Sequence, residues 1–319
     1  MATFITTVLV NRHSHYLDKT IQNKSRYSTT IAKFKTFPMS SRNILVTGCS
    51  SGIGLVTATG LKARGYRVFA TARKGEDLEM LSRKGLEALP LDYSSSDSVG
   101  KCFSEVMAKS NGELYALFNN GAYGQPGAVE DLTRETLRKQ FEANFFGWHE
   151  LTRLVIPVMR ARGEGRIVHN SSVLGFAAMP FRGAYNASKF ALEGLSDTLR
   201  LELRGSGIHV SLIEPGPILS RFRANALLAL KENIDIEHSI YRENYKGALA
   251  RLAKDGPAAP FTLPPEAVLA KVIHALESKN PRPRYYVTVP TYLFGMLKRL
   301  LGTRQLDWVL HKAGGEGKR

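Results

Sequence analysis

The stretch TGCSSGIG, residues 47–54, gives the clearest guide to the rest of the chain. It follows a short apolar run and precedes a segment with helical periodicity, and this context favours a nucleotide site over a chance cluster of glycines. Glycines at 48, 52 and 54 permit a tight turn and let the backbone approach a pyrophosphate. The following helix would aim its first N–H groups at that anion. We therefore predict a dinucleotide-binding turn.

Seven short apolar runs, separated by helix-length segments, follow one another along residues 43–289. This alternation is typical of βα repeats that build a parallel sheet. The predicted strands are Asn43–Thr47, Arg67–Thr71, Leu86–Leu91, Leu114–Asn119, Arg166–Asn170, His209–Ile213 and Tyr285–Val289. We predict a single α/β domain, Rossmann-like and doubly wound, with a seven-stranded parallel sheet and a helical substrate lid.

The end of the second predicted strand bears on which dinucleotide binds. A fold that prefers NADH usually places an acid there, which binds the adenosine ribose. This chain has Ala72 at that point and Arg73 next to it. Because a guanidinium can pair with a 2′-phosphate, the sequence favours NADPH/NADP+ over NADH. The alternative is that Arg73 and Lys74 form a solvated pair in a loop.

Three polar side chains suggest proton transfer at an oxygen atom. Ser172 follows a predicted strand, and Tyr185 and Lys189 are spaced four residues apart in a predicted helix. That spacing puts the tyrosine and the lysine on one helix face, where an ammonium favours ionisation of a phenol whose reference pKa is about 10. Such a phenol can give a proton to a carbonyl oxygen or take one from an alcohol near neutral pH.

Taken in order, these motifs resemble those of the short-chain dehydrogenase/reductase family, most closely over about residues 43–220. The shared positions also include Asp92, Asn119-Asn120-Gly121-Ala122, Asn144 and Pro215-Gly216. Within the family the chain looks nearest to bacterial NADP-dependent aldehyde/ketone reductases, and it is similar to the branch of hydroxysteroid and retinol dehydrogenases. The resemblance implies an oxidoreductase with one Rossmann-like domain.

The resemblance assigns four catalytic residues, Asn144, Ser172, Tyr185 and Lys189. Tyr185 would be the general acid in reduction and the base in oxidation, and Lys189 would lower its pKa and hold the nicotinamide ribose. Ser172 would donate a hydrogen bond to the substrate oxygen, whereas Asn144 would fix a water. The adjacent Ser171 points to the other side of the strand, and the family's thirteen-residue spacing to the tyrosine selects Ser172.

The implied cofactor contacts follow the same motifs, with Asp92 at the adenine and Asn119 on the adenosine side. They are Thr47, Gly48, Ser50, Ser51, Gly52, Ile53, Gly54, Arg73, Asp92, Asn119, Tyr185, Lys189, Pro215, Gly216, Ile218 and Ser220. Two positions depart from the family pattern. Gly121-Ala122 stands in place of Ala-Gly, so the backbone there is expected to follow a slightly different path. Ser220 replaces a threonine that contacts the nicotinamide amide and retains its hydroxyl.

Residues 217–264 are predicted to form the substrate lid. Their many apolar side chains fit a hydrophobic aldehyde or ketone, or the matching alcohol; the alternative is that they only pack the lid onto the domain. Arg221 and Arg223 could bind an acidic substrate or the cofactor phosphates, or be solvated.

Composition and charge narrow the class of protein. The chain has 319 residues, 43% hydrophobic and 23% charged, with a net charge of +16. Residues 1–38 contain six Lys/Arg and one acid, and residues 282–319 contain eight Lys/Arg and two acids. The nearly balanced middle argues against a nucleic-acid-binding protein, which needs a basic surface within its fold. With two cysteines, no metal site is expected and a cytoplasmic location is favoured.

The two ends are interpreted separately from the catalytic domain, residues 39–290. Residues 1–38 lack the apolar core of a secretory signal and are predicted to be a disordered or non-native extension, with organellar targeting as an alternative. Residues 291–319 are predicted to form an amphipathic helix and a basic tail. Packing of that helix on the core or a partner chain is favoured over contact with an anionic lipid surface.

The sequence thus predicts an NADP(H)-dependent oxidoreductase that interconverts a hydrophobic carbonyl compound and its alcohol. The alternative is a non-catalytic NADP(H)-binding regulator or redox sensor on the same fold. The presence of all four catalytic residues assigned by the resemblance argues against that alternative; they are Ser172, Tyr185, Lys189 and Asn144. The resemblance also implies a homodimer or homotetramer, with a small-molecule substrate and no nucleic-acid partner.

Overall fold

The computed structural model describes residues 42–254, 256–257 and 259–314. Its seven strands form one parallel sheet in the order β3-β2-β1-β4-β5-β6-β7. The prediction of a doubly wound α/β domain is therefore confirmed. The predicted extension, residues 1–38, lies outside the described residues.

The elements agree with the predicted alternation. The strands are β1 Asn43–Val46, β2 Arg67–Ala72, β3 Glu87–Pro90, β4 Ala116–Asn119, β5 Gly165–Asn170, β6 Ile208–Glu214 and β7 Arg284–Tyr286. The helices are α1 Gly52–Ala63, α2 Gly75–Arg83, α3 Ser96–Lys109, α4 Arg134–Phe141, α5 Gly147–Arg162, α6 Gly183–Glu202, α7 Phe222–Asn233, α8 Arg242–Ala253, α9 Glu266–Glu277, α10 Val289–Leu300 and α11 Thr303–Ala313. The seventh strand ends earlier than predicted because α10 begins at Val289, with Pro290 in a first turn that tolerates proline.

The order of the strands defines where a ligand can bind. The chain winds from β1 outward to β3 on one side and from β4 outward to β7 on the other. In such a sheet the carboxyl ends of the two central strands border a crevice. The turn of residues 47–54 follows β1, and Asn119 ends β4. The sequence motifs therefore meet at one place.

Two glycines let these segments touch. Gly48 has a φ of +66°, and a Cβ on it would lie 2.4 Å from the Cα of Gly121. A Cβ on Gly54 would lie 2.1 Å from the Gly48 carbonyl oxygen. Gly121, where the sequence departs from the family pattern, is thus the residue in contact with the turn.

A buried polar network joins the ends of β1 and β4. The Thr47 hydroxyl accepts hydrogen bonds from the backbone N–H groups of Asn120 (2.8 Å) and Gly121 (3.1 Å). The Tyr93 hydroxyl lies 2.9 Å from the Thr47 hydroxyl and 2.5 Å from Asn119 Oδ1. The Asn119 amide in turn donates to Thr152 Oγ1 at 3.0 Å. The network holds the edge of the sheet where the motifs lie.

The predicted lid range contains two helices, α7 and α8. Leu230 of α7 and Tyr245 of α8 are buried in a small apolar cluster with Ala128 and Ile234. The Tyr245 hydroxyl accepts from the Ala128 N–H at 2.8 Å and donates to the Asp131 carboxylate. These apolar side chains pack the helices onto the domain, as in the predicted alternative.

The last sheet strand is attached through a charged cluster. The Arg284 guanidinium lies 2.9 Å from Glu193, 2.8 Å from Asp197 and 3.1 Å from Glu214. Glu214 is fully buried. Burial raises its pKa to about 9, and the nearby Glu193 carboxylate acts in the same direction. The guanidinium offsets part of the cost of burying these carboxylates.

The predicted C-terminal amphipathic helix is α10, and α11 follows it. Phe294 of α10 and Leu310 of α11 are buried against Val173 and Ala177, which follow β5. None of the helices in the described ranges is long and apolar enough to cross a membrane.

We expect Tyr93→Phe to lower the free energy of unfolding by about 1–3 kcal/mol, because it removes a partner of the buried Asn119 and Thr47 side chains. Urea unfolding followed by circular dichroism measures this. Tyr66→Phe is the matched control: the Tyr66 hydroxyl is buried and has no hydrogen-bond partner in the part of the chain that the structure describes. Equal losses for the two variants would contradict a stabilising network.

Candidate active site

The two serines after β5 face opposite sides, as strand geometry predicts. Ser171 Oγ and Glu193 Oε1 converge beside Gly175, where a Cβ would lie 2.7 Å from the first and 2.9 Å from the second. The Ser172 hydroxyl accepts from the Leu174 N–H at 3.1 Å and lies close enough to the Tyr185 hydroxyl to oppose the rise in its pKa. The structure therefore brings Ser172 and Tyr185 together and directs Ser171 away from them.

Tyr185 and Lys189 lie on α6, with the lysine ammonium 5.7 Å from the centre of the tyrosine ring. Burial raises the pKa of Tyr185 to about 12, and the hydrogen bond with Ser172 opposes this shift. Burial also lowers the pKa of Lys189 to about 7, while the Glu193 carboxylate acts in the opposite direction. Burial therefore dominates the pKa of Tyr185, and the raised value differs from the lowering by Lys189 that the resemblance implies.

The position of the Lys189 ammonium explains this difference. It donates to the Asn170 carbonyl at 2.8 Å and lies 4.2 Å from the centre of the Trp148 ring. Both contacts stabilise the cation, but they direct it toward the end of β5 and toward α5. The sequence carried no signal for Trp148, because its role depends on how α5 packs against the sheet.

Asn144 lies in a π-helical turn, Glu142–Phe146, between α4 and α5. Its amide donates to the Tyr123 carbonyl at 2.8 Å, and its Oδ1 accepts from the Tyr123 N–H at 3.2 Å. The side chain therefore anchors the segment that follows β4. Its predicted role in fixing a water stays a prediction.

The N-terminus of α1 is suited to an anion. Ser51 precedes the helix without a side-chain cap, and the first turn contains no acid. By contrast, α3 is capped by the Ser95 hydroxyl and has Asp97 in its first turn. Since the first N–H groups of a helix need acceptors and carry partial positive charge, the start of α1 fits a pyrophosphate.

The segment after β6 reaches this turn. A Cβ on Gly52 would lie 2.8 Å from the Cβ of Ser220, and Arg221 donates to the Ser50 carbonyl at 3.0 Å. Pro215 is buried, and its carbonyl accepts from the Val173 N–H at 2.8 Å. The start of the lid thus lies against the turn that follows β1, and Pro215 at the end of β6 contacts the segment that follows β5.

Three further predicted cofactor positions lie in this region. Gly216 lies beside Thr288, and Ile53 and Ile218 are half-buried. Arg223 donates to carbonyls of Arg251 and Lys254 and so stabilises the lid.

The end of β2 has the features that suggested NADP(H). Ala72 is buried and Arg73 is exposed, and the Arg73 charge is close enough to lower the pKa of Tyr123 against the effect of burial. Asp92, after β3, is half-buried, and its Oδ1 accepts from the Ser94 N–H at 3.0 Å. An exposed guanidinium without a neighbouring acid in β2 fits a 2′-phosphate.

Asn119 lies beneath the groove. Its side chain is fully buried, with Tyr93 at Oδ1 and Thr152 and His169 at Nδ2. Burial lowers the pKa of His169 to about 3, and the Lys189 charge adds to this effect. The observed contacts give Asn119 a positioning role, and its predicted contact on the adenosine side stays a prediction.

An aromatic side chain from the lid covers Tyr185. The Phe222 ring, at the start of α7, stacks edge to face on Tyr185 with 5.4 Å between ring centres. A Cβ on Gly124 would lie 2.7 Å from the Phe222 ring, so glycine makes room for the phenyl group. The sequence placed Phe222 in an apolar lid, but nothing in it indicated contact with Tyr185.

Comparisons with known proteins agree with this site. Residues 42–229 match the family model for short chain dehydrogenases. The uncharacterized oxidoreductase YbbO of Escherichia coli K12 is 45% identical over 84% of this chain and 94% of its own length. An NADPH-dependent 3-dehydrocapnine reductase of Ornithobacterium rhinotracheale is 31% identical over 85% of this chain and 96% of its own length.

A solved structure supports the same assignment. An actinorhodin polyketide ketoreductase variant with NADPH has a TM-score of 0.62 and 28% identity, covering 77% of this chain and 95% of that one. The resemblance seen in the motifs is thereby confirmed. This chain is an oxidoreductase that belongs to the short-chain dehydrogenase family.

Proposed function

We propose that the protein uses NADPH to reduce a hydrophobic aldehyde or ketone, and catalyses the reverse oxidation with NADP+. The neighbouring hydroxyl groups of Ser172 and Tyr185, with the Phe222 ring stacked on Tyr185, carry this proposal. Two hydroxyl groups beside an aromatic surface can bind one oxygen atom of a substrate whose remainder is apolar. The relative from Ornithobacterium is named an NADPH-dependent reductase, and the solved structure is that of a ketoreductase with NADPH.

The residues of this chain would act on the substrate oxygen. When bound, the nicotinamide supplies the hydride that adds to the carbonyl carbon. Tyr185 would give its hydroxyl proton to the carbonyl oxygen, so that one hydride and one proton convert C=O into CH–OH. Ser172 would donate a second hydrogen bond and stabilise the negative charge that develops on this oxygen.

Lys189 would make proton loss from Tyr185 less costly. A phenol with a pKa of about 12 is a weak general base at neutral pH. The Lys189 ammonium lies 5.7 Å from the centre of the tyrosine ring, and a protonated Lys189 would stabilise a phenolate that forms at Tyr185 during the reaction. Because the pKa of Lys189 is about 7, its charge changes within the physiological range.

Three groups would hold the cofactor. The uncapped start of α1 would bind the pyrophosphate, and Arg73 would pair with the 2′-phosphate. Ser220 lies beside Gly52, where its hydroxyl can reach a ligand that follows the turn. The proposed preference for NADPH depends on Arg73.

Tyr185→Phe should reduce turnover by about 100-fold or more, the usual contribution of general acid catalysis, because a phenyl group has no proton to transfer. NADPH oxidation with a panel of aldehydes, ketosteroids and retinal measures turnover, and energy transfer from tryptophan to NADPH measures binding, which we expect to be unchanged. Tyr241→Phe, in the lid segment, is the control. Unchanged turnover in Tyr185→Phe would refute the role of Tyr185, and NADPH binding without turnover of any carbonyl compound by the wild type would favour the regulator.

Arg73→Ala should weaken NADPH binding by about tenfold or more, the value of a charge-assisted hydrogen bond, and leave NADH binding unchanged. Titration of each nucleotide with tryptophan energy transfer measures both affinities. Arg83→Ala, which removes an exposed arginine at the end of α2, is the matched control. An equal loss for the two nucleotides would show that Arg73 does not bind the 2′-phosphate.

A further inference from the structure

Helix α10 has two apolar faces, and one of them is exposed. Phe294 and Gly295 are buried against the domain. On another face, at spacings of four, three and four residues, four apolar side chains form an exposed stripe. They are Val289, Leu293, Met296 and Leu300, which are 52%, 44%, 52% and 71% exposed. Packing on the core therefore accounts for the buried face of α10 but not for its exposed apolar stripe.

The surroundings of this stripe are strongly basic. Residues 278–314 contain seven lysines and arginines and one acid, Asp307. Five of the cations are Lys279, Arg282, Arg299, Arg304 and Lys312. Of the other two, Arg284 is paired with three carboxylates, and Lys298 faces the Phe190 ring of the domain at 5.2 Å. On α11, Trp308 is 59% exposed, and the Lys312 ammonium lies 3.9 Å from its ring centre. An apolar stripe flanked by cations and an exposed indole is typical of a helix that lies on an anionic membrane surface.

A basic cavity of about 210 Å³ adjoins the stripe. Tyr292 and Arg299 of α10 line it together with Lys271, Arg282, Arg284, Tyr285 and Tyr286. Arg284 is paired with carboxylates, whereas Lys271, Arg282 and Arg299 have no ion pair in the described ranges. Burial lowers the pKa of Lys271, and the charge of Arg282 adds to this effect. A bound anion would relieve the repulsion between these cations.

We propose that the stripe of α10, the exposed side of α11 and this cavity form a docking surface for an anionic phospholipid bilayer. The stripe enters the boundary between headgroups and acyl chains, and the cavity takes the phosphate of one headgroup. Contact with lipid was the less favoured alternative from the sequence; the exposed stripe and the adjoining cavity now support it.

The charges favour a bilayer over a second copy of the chain. Two copies joined through this surface would bring the same excess of cations together, and like charges across an interface are unfavourable. An anionic lipid surface attracts each of them. The docking surface would therefore bind a membrane from one side, without crossing it.

The docking surface is connected to the site. Both α10 and α11 pack on the segment after β5 that includes Val173 and Ala177. This segment joins Ser172 to the helix that begins at Gly183 and contains Tyr185. A bilayer held there would lie beside the part of the chain that positions both hydroxyls.

The full-length protein is sedimented with vesicles of phosphatidylcholine alone and with vesicles in which about one third is phosphatidylglycerol. We expect binding to the anionic vesicles, weakened by salt, and little binding to phosphatidylcholine. Replacing Leu293, Met296 and Leu300 together by serine should reduce binding by about tenfold or more. Arg282→Ala and Arg299→Ala should each reduce it by about fivefold, the value of one cation near an anionic surface.

The controls are Leu201→Ser and Arg204→Ala, which change an exposed apolar residue and an exposed cation near the end of α6. Both should bind like the wild type. Equal binding to the two vesicle types, no binding, or binding that the α10 and cavity variants leave unchanged would overturn the proposal. So would a stripe variant that changes the gel-filtration elution volume of the protein without vesicles, since the stripe would then join copies of the chain. Thermal unfolding of each variant checks that it is folded.

Discussion

The hydroxyl group of Thr47 is the point on which the rest of the site depends. It accepts hydrogen bonds from the backbone N–H groups of Asn120 and Gly121 and lies 2.9 Å from the Tyr93 hydroxyl. It therefore joins the end of β1 to the end of β4. These are the two central strands, between which the chain changes its winding direction. A crevice at this position exists only while the two strand ends keep a fixed separation. The close approach of Gly48 and Gly121 sets that separation, and the network holds it.

Most of the fold could be predicted because its signals are local. Each strand is a short apolar run followed by a turn or helix signal, and the parallel sheet follows from the alternation. The ends of strands were less predictable. The predicted strand Tyr285–Val289, for example, continues past the end of β7 at Tyr286 and reaches the first residue of α10, Val289. That Ser172 lies near Tyr185 could also be anticipated, because Ser172 follows a strand and Tyr185 lies on a helix at a spacing that the family shares.

The rest of the site depends on packing between distant segments. Phe222 lies 37 positions from Tyr185, and only the path of the lid brings the two rings together. Trp148 meets Lys189 because α5 crosses the sheet beside α6. The pKa values of Tyr185 and Lys189 are set by desolvation, which depends on everything packed around them. The degree of desolvation cannot be predicted from the spacing of residues in a sequence.

The charged cluster at Arg284 has a consequence for the growing chain on the ribosome. Glu214 ends β6, and its guanidinium partner is synthesised 70 residues later. During that interval Glu193 and Glu214 have been made without the cation that offsets their burial, and burying an unpaired carboxylate is costly. The pairing of β7 is thereby linked to the arrival of one side chain.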